Sequence, residues 1–248
     1  MEYSRNQVIQ SLYDRKSVRV FEERPIPEEC RKEILMAAMQ APTAGNQQLY
    51  TILDITDQEL KEKLAVSCDN QPFIARAPMV LIFCADVLKW VDVFREGGAE
   101  PRKPGCGDFM LAVEDAVIAA QNAVTAAQSL GIGSCYIGDI MEQYELHREI
   151  LHLPEYVFPA AMLVFGYPTG QQRERRKPRR CRLEDMVQQN TYRRRDGDEL
   201  RRMFEKETAV RSFEEWSQAF CTRKYNSEFS REMSRSVEKY LMEYIEWK

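Results

Sequence analysis

Residues 109–130, FMLAVEDAVIAAQNAVTAAQSL, decide the fold of this 248-residue chain more than any other stretch. Apolar residues recur in it at steps of three and four, the periodicity of an amphipathic helix: Val113, Val117, Ala120, Val124 and Ala127. Alanines make its other faces small as well, so neighbouring elements can approach it closely from several sides. We therefore expect a central helix, which Gly131 ends in a left-handed cap.

The segments around this helix alternate between strand and helix patterns. Strands are expected at 50–55, 79–86, 135–137 and 160–165. Helices are expected at 7–13, 28–41, 58–67, 143–151, 200–204, 213–220 and 233–247. This order predicts an α+β or three-layer architecture. Because the chain becomes basic and polar after Gly170, we divide it into domains at 1–170 and 171–248.

The composition narrows the class of protein. A chain with 44% hydrophobic and 30% charged residues is globular, and the absence of a bilayer-length apolar run or a secretory pattern makes a cytoplasmic location the expectation. The net charge of −4 argues against a nucleic-acid binder, although residues 173–182 are strongly basic. Seven cysteines without a CxxC pair and two histidines favour neither disulfides, nor a metal site, nor a Ser-His-Asp triad.

Two polar segments carry candidate ligand-binding residues. Residues 15–19 (RKSVR) bring three cations and a hydroxyl together after the first helix. This suits a phosphate monoester, because guanidinium forks pair with phosphate oxygens; a solvated charged face is the alternative. Residues 41–48 (APTAGNQQ) join a helix to a strand and offer donors and acceptors that suit a flat heteroaromatic ring; a plain polar turn is the alternative.

A third segment, residues 131–139 (GIGSCYIGD), contains three glycines that allow the backbone to approach a ligand closely. It follows a helix instead of opening one after a strand, so it is not a dinucleotide-binding fingerprint. The chain also lacks a Walker A motif, which disfavours ATP or GTP chemistry.

In this order and spacing, RKSVRVF…PIP, APTAGNQQ, the apolar strand and GIGSCYIGD resemble the FMN-dependent nitroreductase family over roughly residues 15–179. The long tail and the triplet 177–179 look more like the larger, NADPH-preferring flavin reductase branch. The resemblance implies a nitroreductase-like three-layer α+β fold: a central, mostly antiparallel sheet flanked by helices, with a helical C-terminal extension. It also implies a homodimer with the flavin at the subunit boundary.

The resemblance assigns cofactor contacts residue by residue. Those expected to hold the FMN phosphate and ribityl chain are Arg15, Lys16, Ser17 and Arg19. Those expected to line the flavin, in part from the opposite subunit, are Thr43, Ala44, Gly45 and Gln48. Polar groups near the isoalloxazine are expected from Asn70 and Gln71, and cover of one flavin face from Tyr136, Ile137, Gly138 and Asp139. Lys177 and Arg179 would return to the phosphate or to flavin N1 and O2.

This sequence departs from the family pattern at two of these places. The second motif is APTAGN where a serine-rich run is usual, and position 16 is Lys where Arg is common.

The activity that the resemblance implies is hydride transfer from NADPH or NADH, through FMN, to a nitroaromatic, a quinone or a similar small acceptor, by a ping-pong mechanism. Flavin N5 would accept the hydride, so no side chain needs a catalytic role. A cation near N1 and O2 would stabilise the reduced cofactor. Two alternatives stay open: a flavoprotein of the same fold with other chemistry, such as reductive dehalogenation or flavin fragmentation, and a nucleic-acid-binding protein that uses its basic patch.

Three surfaces carry further expectations. The basic segment after Gly170 is either solvated or selects NADPH through the 2′-phosphate. The glycine- and proline-rich segment 91–107 would form a mobile lid in which Phe94 or Phe109 touches the acceptor. Aromatic residues of the tail would embrace the partner subunit, with packing inside the chain as the alternative: Phe213, Trp216, Phe220, Tyr240, Tyr244 and Trp247.

Overall fold

Residues 6–206, 208 and 210–245 are described by the computed structural model of the chain. Helices and strands follow one another as α1 (Gln7–Asp14), α2 (Glu28–Met39), β1 (Tyr50–Asp54), α3 (Gln58–Ser67), α4 (Phe73–Arg76), β2 (Met79–Asp86), α5 (Leu88–Glu96), α6 (Cys106–Ser129), β3 (Gly133–Ile137), α7 (Tyr144–Ile150), β4 (Val157–Gly166), α8 (Gly170–Glu174), α9 (Leu183–Met186), α10 (Gly197–Met203), α11 (Phe213–Lys224) and α12 (Glu228–Met242). Short 3₁₀ turns lie at Ala44–Asn46 and Gly138–Met141.

The four strands form one sheet in the order β1-β2-β4-β3, with every neighbouring pair antiparallel. β2 is buried along its whole length. Its side chains alternate between two cores, with Leu81 and Phe83 in one and Val80 and Ile82 in the other. Because successive side chains of a strand point to opposite faces, both faces of the sheet are covered. The α+β class and the largely antiparallel sheet are therefore as expected.

Helix α6 lies against β2, β4 and β3 and begins and ends close to the predicted limits. The expected face is buried at Ala120, Val124 and Ala127, but Val117 is 40% exposed. The buried face is also wider than expected, since the alanines at 112, 116, 119 and 123 are fully buried as well. Small side chains along most of this face allow the sheet to lie close to the helix. By length and composition alone α6 could cross a membrane, a property that the core helices of soluble proteins share.

The segment expected to be a mobile lid is partly helical, because residues up to Glu96 belong to α5. The expectation that Phe109 touches an acceptor is wrong. Its ring is 4% exposed and packs against Phe158 and Tyr244. Phe94 remains accessible, at 40% exposure.

Contacts divide the chain into two units, residues 1–177 with 233–248 and residues 178–232. The domain division at residue 170, which was predicted from composition, stays a prediction. In the first unit the end of α12 is anchored by Glu243, which accepts hydrogen bonds from Arg148 and from the N–H of Tyr156. Tyr240 and Tyr244 are buried there, so they do not reach a partner subunit. Trp247 lies outside the described residues.

Candidate functional site

Residues 15–19 run along the free edge of the sheet beside β3. Ser17 forms a parallel bridge with Ser134, and the Val18 N–H donates to the Ser134 carbonyl at 2.9 Å. A Cβ atom at Gly133 would lie 2.6 Å from Cγ2 of Val18. Only glycine therefore permits this close approach. Gly133, in the third motif, thus allows residues 15–19 of the first motif to pair with β3.

The guanidinium group of Arg15 has hydrogen-bond donors that no described residue accepts. Its Nε and Nη2 are buried and have no hydrogen-bond partner within the described part of the chain. Its Cζ lies 5.8 Å from the ring centroid of Tyr136, within the range of a cation–π contact. A buried charged donor is costly to leave unpaired, so this geometry fits an anionic ligand.

Two further guanidinium groups lie near the same point. Burial raises the pKa of the Cys135 thiol, while the positive charges of Arg19, Arg15 and Arg175 act on it in the opposite direction. Arg175 Nη2 also donates to the Ser17 carbonyl at 2.6 Å. These three arginines and the Ser17 hydroxyl thus surround the start of β3. Their donor set suits the oxygens of a phosphate monoester.

Hydrogen bonds from two lysines connect residues 12–16 with the basic segment 173–177. Lys16 Nζ donates to the carbonyls of Arg173 and Arg175, the second at 2.6 Å. Lys177 Nζ donates to the carbonyls of Leu12 and Tyr13 at 2.9 and 2.8 Å. Each ammonium group has three hydrogens, and the two hydrogen bonds of each lysine use two of them. The expected contacts of Lys16 and Lys177 with the flavin or its phosphate stay predictions.

Tyr136 lies on β3, and Ile137–Asp139 lead from it into the turn Gly138–Met141. The Tyr136 hydroxyl donates to Gln121 of α6 at 3.4 Å, and burial raises its pKa to about 12. Gly138 is exposed and lies beside Met233, since a Cβ there would be 4.0 Å from Met233 Cε. The exposed backbone of this turn is accessible to a ligand.

The turn with Asn70 and Gln71 lies near residues 138–142. Burial raises the pKa of the neighbouring Cys68 thiol, and the charges of Asp139 and Glu142 raise it further. The Gln71 amide donates to the Cys68 carbonyl at 2.8 Å, so this side chain is fixed in place.

The second motif forms a tight turn that a buried carboxylate on α6 holds from beneath. Asp115 accepts the N–H of Ala44 at 2.9 Å and that of Leu49 at 3.0 Å. The Thr43 hydroxyl accepts the N–H of Gln48 at 3.2 Å. Gly45 and Gln48 remain exposed on the outside of the turn.

The structure brings Arg15, Ser17, Arg19 and Tyr136 together, and sets the turn 43–48 apart from them within one chain. The turn contacts α6 at Asp115, whereas Tyr136 contacts it at Gln121, about 9 Å further along the axis at 1.5 Å per residue. Arg179 belongs to the second unit, where it lines a cavity of about 500 Å³ with Trp216 and Phe220. In that unit the Trp216 and Phe220 rings stack with centroids 5.5 Å apart.

Two residues near these contacts are not among the predicted ones. In the sequence, Arg175 is one charge of a basic run. Asp115 is part of the long helix, although an acidic residue among core-facing alanines is a usable signal, because a buried carboxylate requires donors.

Comparison with known proteins identifies the family of the chain. The model of the Nitroreductase family matches residues 12–167. An FMN reductase (NAD(P)H) of Bacillus subtilis (strain 168) is 31% identical over 238 residues, covering 95% of this chain and 91% of that protein. A Cr(VI) reductase of Pseudomonas sp. (strain G-1) is 32% identical over 168 residues, 68% of either protein. The solved structure of an NADPH:FMN oxidoreductase from Vibrio harveyi, complexed with NAD⁺, has a TM-score of 0.82 at 25% identity, covering 95% of this chain and 98% of that one.

The fold and these matches define an enzyme of the oxidoreductase class. The chain belongs to the nitroreductase family. The expected family, enzyme class and fold class are thereby confirmed.

Proposed function

We propose that this protein is an FMN-dependent oxidoreductase that takes hydride from NADPH or NADH and reduces a nitroaromatic, a quinone or a similar small acceptor by a ping-pong mechanism. The observation that carries the proposal is the buried, unpartnered guanidinium edge of Arg15 beside Arg19 and Arg175. When bound, FMN supplies the hydride-accepting and electron-donating chemistry. The names of the relatives, an FMN reductase and a Cr(VI) reductase among them, support the cofactor and a variable acceptor.

The residues of the chain bind and orient the cofactor. Arg15, Ser17 and Arg19 hold the phosphate end, with Arg175 completing the cation cluster and Lys16 bracing it. Tyr136 and residues 137–139 lie along one face of the ring system, with Gln71 nearby. The remaining contacts come from Thr43, Ala44, Gly45 and Gln48, and the cation near N1 and O2 from Lys177 or Arg179.

Proton delivery does not depend on histidine. The chain has two histidines. His147 is fully buried, its Nδ1 3.0 Å from the Ile140 carbonyl and its Nε2 2.7 Å from the Ser67 hydroxyl. Burial lowers its pKa, so it is neutral at physiological pH. We therefore assign protonation of the acceptor to solvent, and no side chain is given a catalytic role.

The protein acts as a homodimer in this proposal. Apolar side chains exposed on α1, α2 and α6 form a face that no described element covers: Val8, Ile9, Leu12, Met36, Met39, Met110, Leu111, Val117 and Ile118. α1 and α2 both contact α6, so these side chains belong to neighbouring helices of the first unit. A patch of this kind marks an interface. Pairing two such faces lets the turn 43–48 of one subunit complete the phosphate-end site of the other.

The proposal also covers the cellular location, the domain division and the preferred reductant. We place the enzyme in the cytoplasm, where NADPH is available, and propose residues 1–170 as the FMN-binding domain and residues 171–248 as a basic loop and helical extension that contributes Arg175 to the cofactor site. The basic segment 173–182 favours NADPH over NADH, because arginines suit a 2′-phosphate. Equal catalytic efficiency with the two reductants would contradict this preference.

The decisive experiment is an absorbance spectrum of the purified protein, followed by anaerobic addition of NADPH. We expect two visible flavin bands that bleach on addition. Bleaching by stoichiometric NADPH before any acceptor is present, with reoxidation by nitroaromatic or quinone afterwards, supports the ping-pong order. A protein that stays colourless after incubation with FMN would overturn the proposal.

A further inference from the structure

Asp115 stands in the middle of α6 and is 2% exposed, yet both of its carboxylate oxygens are used by a segment far away in sequence. Oδ1 accepts the Ala44 N–H and Oδ2 accepts the Leu49 N–H, at 2.9 and 3.0 Å. These N–H groups stand at the two ends of the turn 44–49. One side chain therefore closes the turn from below.

The backbone of this turn needs such support. Gly45, Asn46 and Gln48 have φ angles of 56°, 57° and 51°, in the left-handed region. Residues other than glycine adopt this region at a cost, and they persist there only where surrounding contacts hold them. Hydrogen bonds that a carboxylate accepts from backbone N–H groups are stronger than neutral ones, so Asp115 is well suited to hold the strained conformation.

Contacts from α5 fix the same turn through its carbonyls. Lys89 Nζ donates to the Gln48 carbonyl at 2.8 Å, and Trp90 Nε1 donates to the Gln47 carbonyl at 2.6 Å. The inner side of the turn is thus fully engaged, while Gly45, Asn46 and Gln48 are exposed on the outer side. The turn presents a preset arrangement of donors and acceptors to whatever binds there.

We propose that Asp115 is a positioning residue for the flavin, acting through the turn 44–49 without touching the cofactor. This inference rests on the proposed function, since it takes the outer side of the turn to be a flavin contact. A preset turn lowers the entropy lost on binding, so loss of the clamp weakens FMN binding and lets the bound ring system shift.

The test is Asp115→Asn, which keeps the shape but offers one acceptor oxygen in place of two and turns an amide NH₂ toward a backbone N–H. We expect the Kd for FMN to rise at least tenfold and the visible circular dichroism of the flavin to change at saturating FMN. At saturating FMN, kcat should fall while KM for NADPH changes little. In the flavin-free protein, amide hydrogen exchange of residues 41–50 should accelerate.

The matched control is Asp108→Asn, two turns earlier on the same helix. That carboxylate accepts the Gly105 N–H at 2.8 Å and pairs with Arg102, so these bonds fix the start of α6 and not the turn 44–49. Its substitution should leave FMN affinity and flavin circular dichroism unchanged. If Asp115→Asn does not fold, Asp115→Ser keeps a smaller acceptor for one N–H and should show the same changes.

The outcomes separate this inference from the function on which it rests. A wild-type protein that binds no FMN overturns both. A wild type that binds FMN, together with an Asp115→Asn variant of equal FMN affinity and equal flavin circular dichroism, overturns the positioning role alone. A lower melting temperature with those two readouts unchanged also overturns it, because it reduces Asp115 to a residue of the core.

Discussion

The guanidinium carbon of Arg15 lies 5.8 Å from the ring centroid of Tyr136. This contact joins the end of α1 to the strand that leads into the exposed turn 138–141. The ring holds one side of the guanidinium in place, so its free N–H groups are already oriented when an anion arrives. In the proposed site, the phosphate end is therefore largely formed before the ligand binds.

Arg15→Ala should weaken FMN binding about thirtyfold, corresponding to roughly 2 kcal/mol for lost hydrogen bonds to a charged group. Titration of the flavin-free variant with FMN, followed by fluorescence quenching, measures this. Arg24→Ala is the control, because Arg24 stacks on Tyr167 with its Cζ 3.9 Å from the ring centroid and is not one of the three clustered arginines. Comparable losses in both variants would argue against a specific phosphate contact by Arg15.

Lys16→Met should lower the free energy of unfolding by about 1 kcal/mol, since it removes hydrogen bonds to the carbonyls of Arg173 and Arg175 at a half-buried site. FMN affinity should fall only modestly, through loosening of Arg175. Urea unfolding beside Lys63→Met, an exposed lysine of α3, provides the comparison. A large loss of FMN affinity at unchanged stability would show instead that Lys16 binds the phosphate directly.

Stability should depend on pH through His147. Burial lowers its pKa in the folded protein below the ordinary value of 6.5. As the pH falls through about 6.5, the unfolded chain binds a proton that the folded protein does not, so the free energy of unfolding decreases. The full contribution is present above that pH.

His147→Gln should therefore reduce stability at pH 8 by about 1–2 kcal/mol, through altered hydrogen bonds, but flatten the dependence between pH 7 and pH 5.5. Urea unfolding of both proteins across that range decides the matter. An unchanged slope in the variant would mean that the pKa of His147 is the same in the folded protein and in the unfolded chain.

Val117→Asp should convert the dimer to monomers, because it places a charge in the middle of the exposed apolar face, where an interface tolerates it poorly. FMN affinity should fall together with dimerisation, since the turn 43–48 would no longer reach the partner's site. Light scattering and FMN titration measure both. Val66→Asp on α3, where Val66 is 65% exposed, should change neither, and a wild-type monomer would refute the dimer.

The limits of β2 and α3 could be read from the sequence, since an apolar run after Pro78 and an Asp57 N-cap mark them locally. The width of the buried face of α6 and the exposure of Val117 could not. Periodicity identifies apolar positions, but it does not tell whether large or small ones meet a sheet, which depends on the distance between layers. Helix α5 was not predicted, because the glycines at 97 and 98 favour an irregular segment.

The candidate site shows the same limit. An anion site could be predicted at residues 15–19, because their charges are adjacent in sequence. Asp115 and Arg175 act on residues that lie 71 and 158 positions away, and a single sequence contains no sign of such pairings.

The second unit, residues 178–232, is inserted between two parts of the first. The chain leaves the first unit at Lys177, which is bonded to the end of α1, and returns to it at Met233, beside Gly138. Both junctions therefore border the candidate site. The second junction lies inside α12, which runs from Glu228 to Met242, so the insert returns to the first unit through a continuous helix and not through a loop. An insert of another length can therefore be exchanged only if the phase of that helix is kept, at 3.6 residues per turn. Chimaeras of this chain are best spliced at Lys177 and before Glu228, so that α12 stays intact.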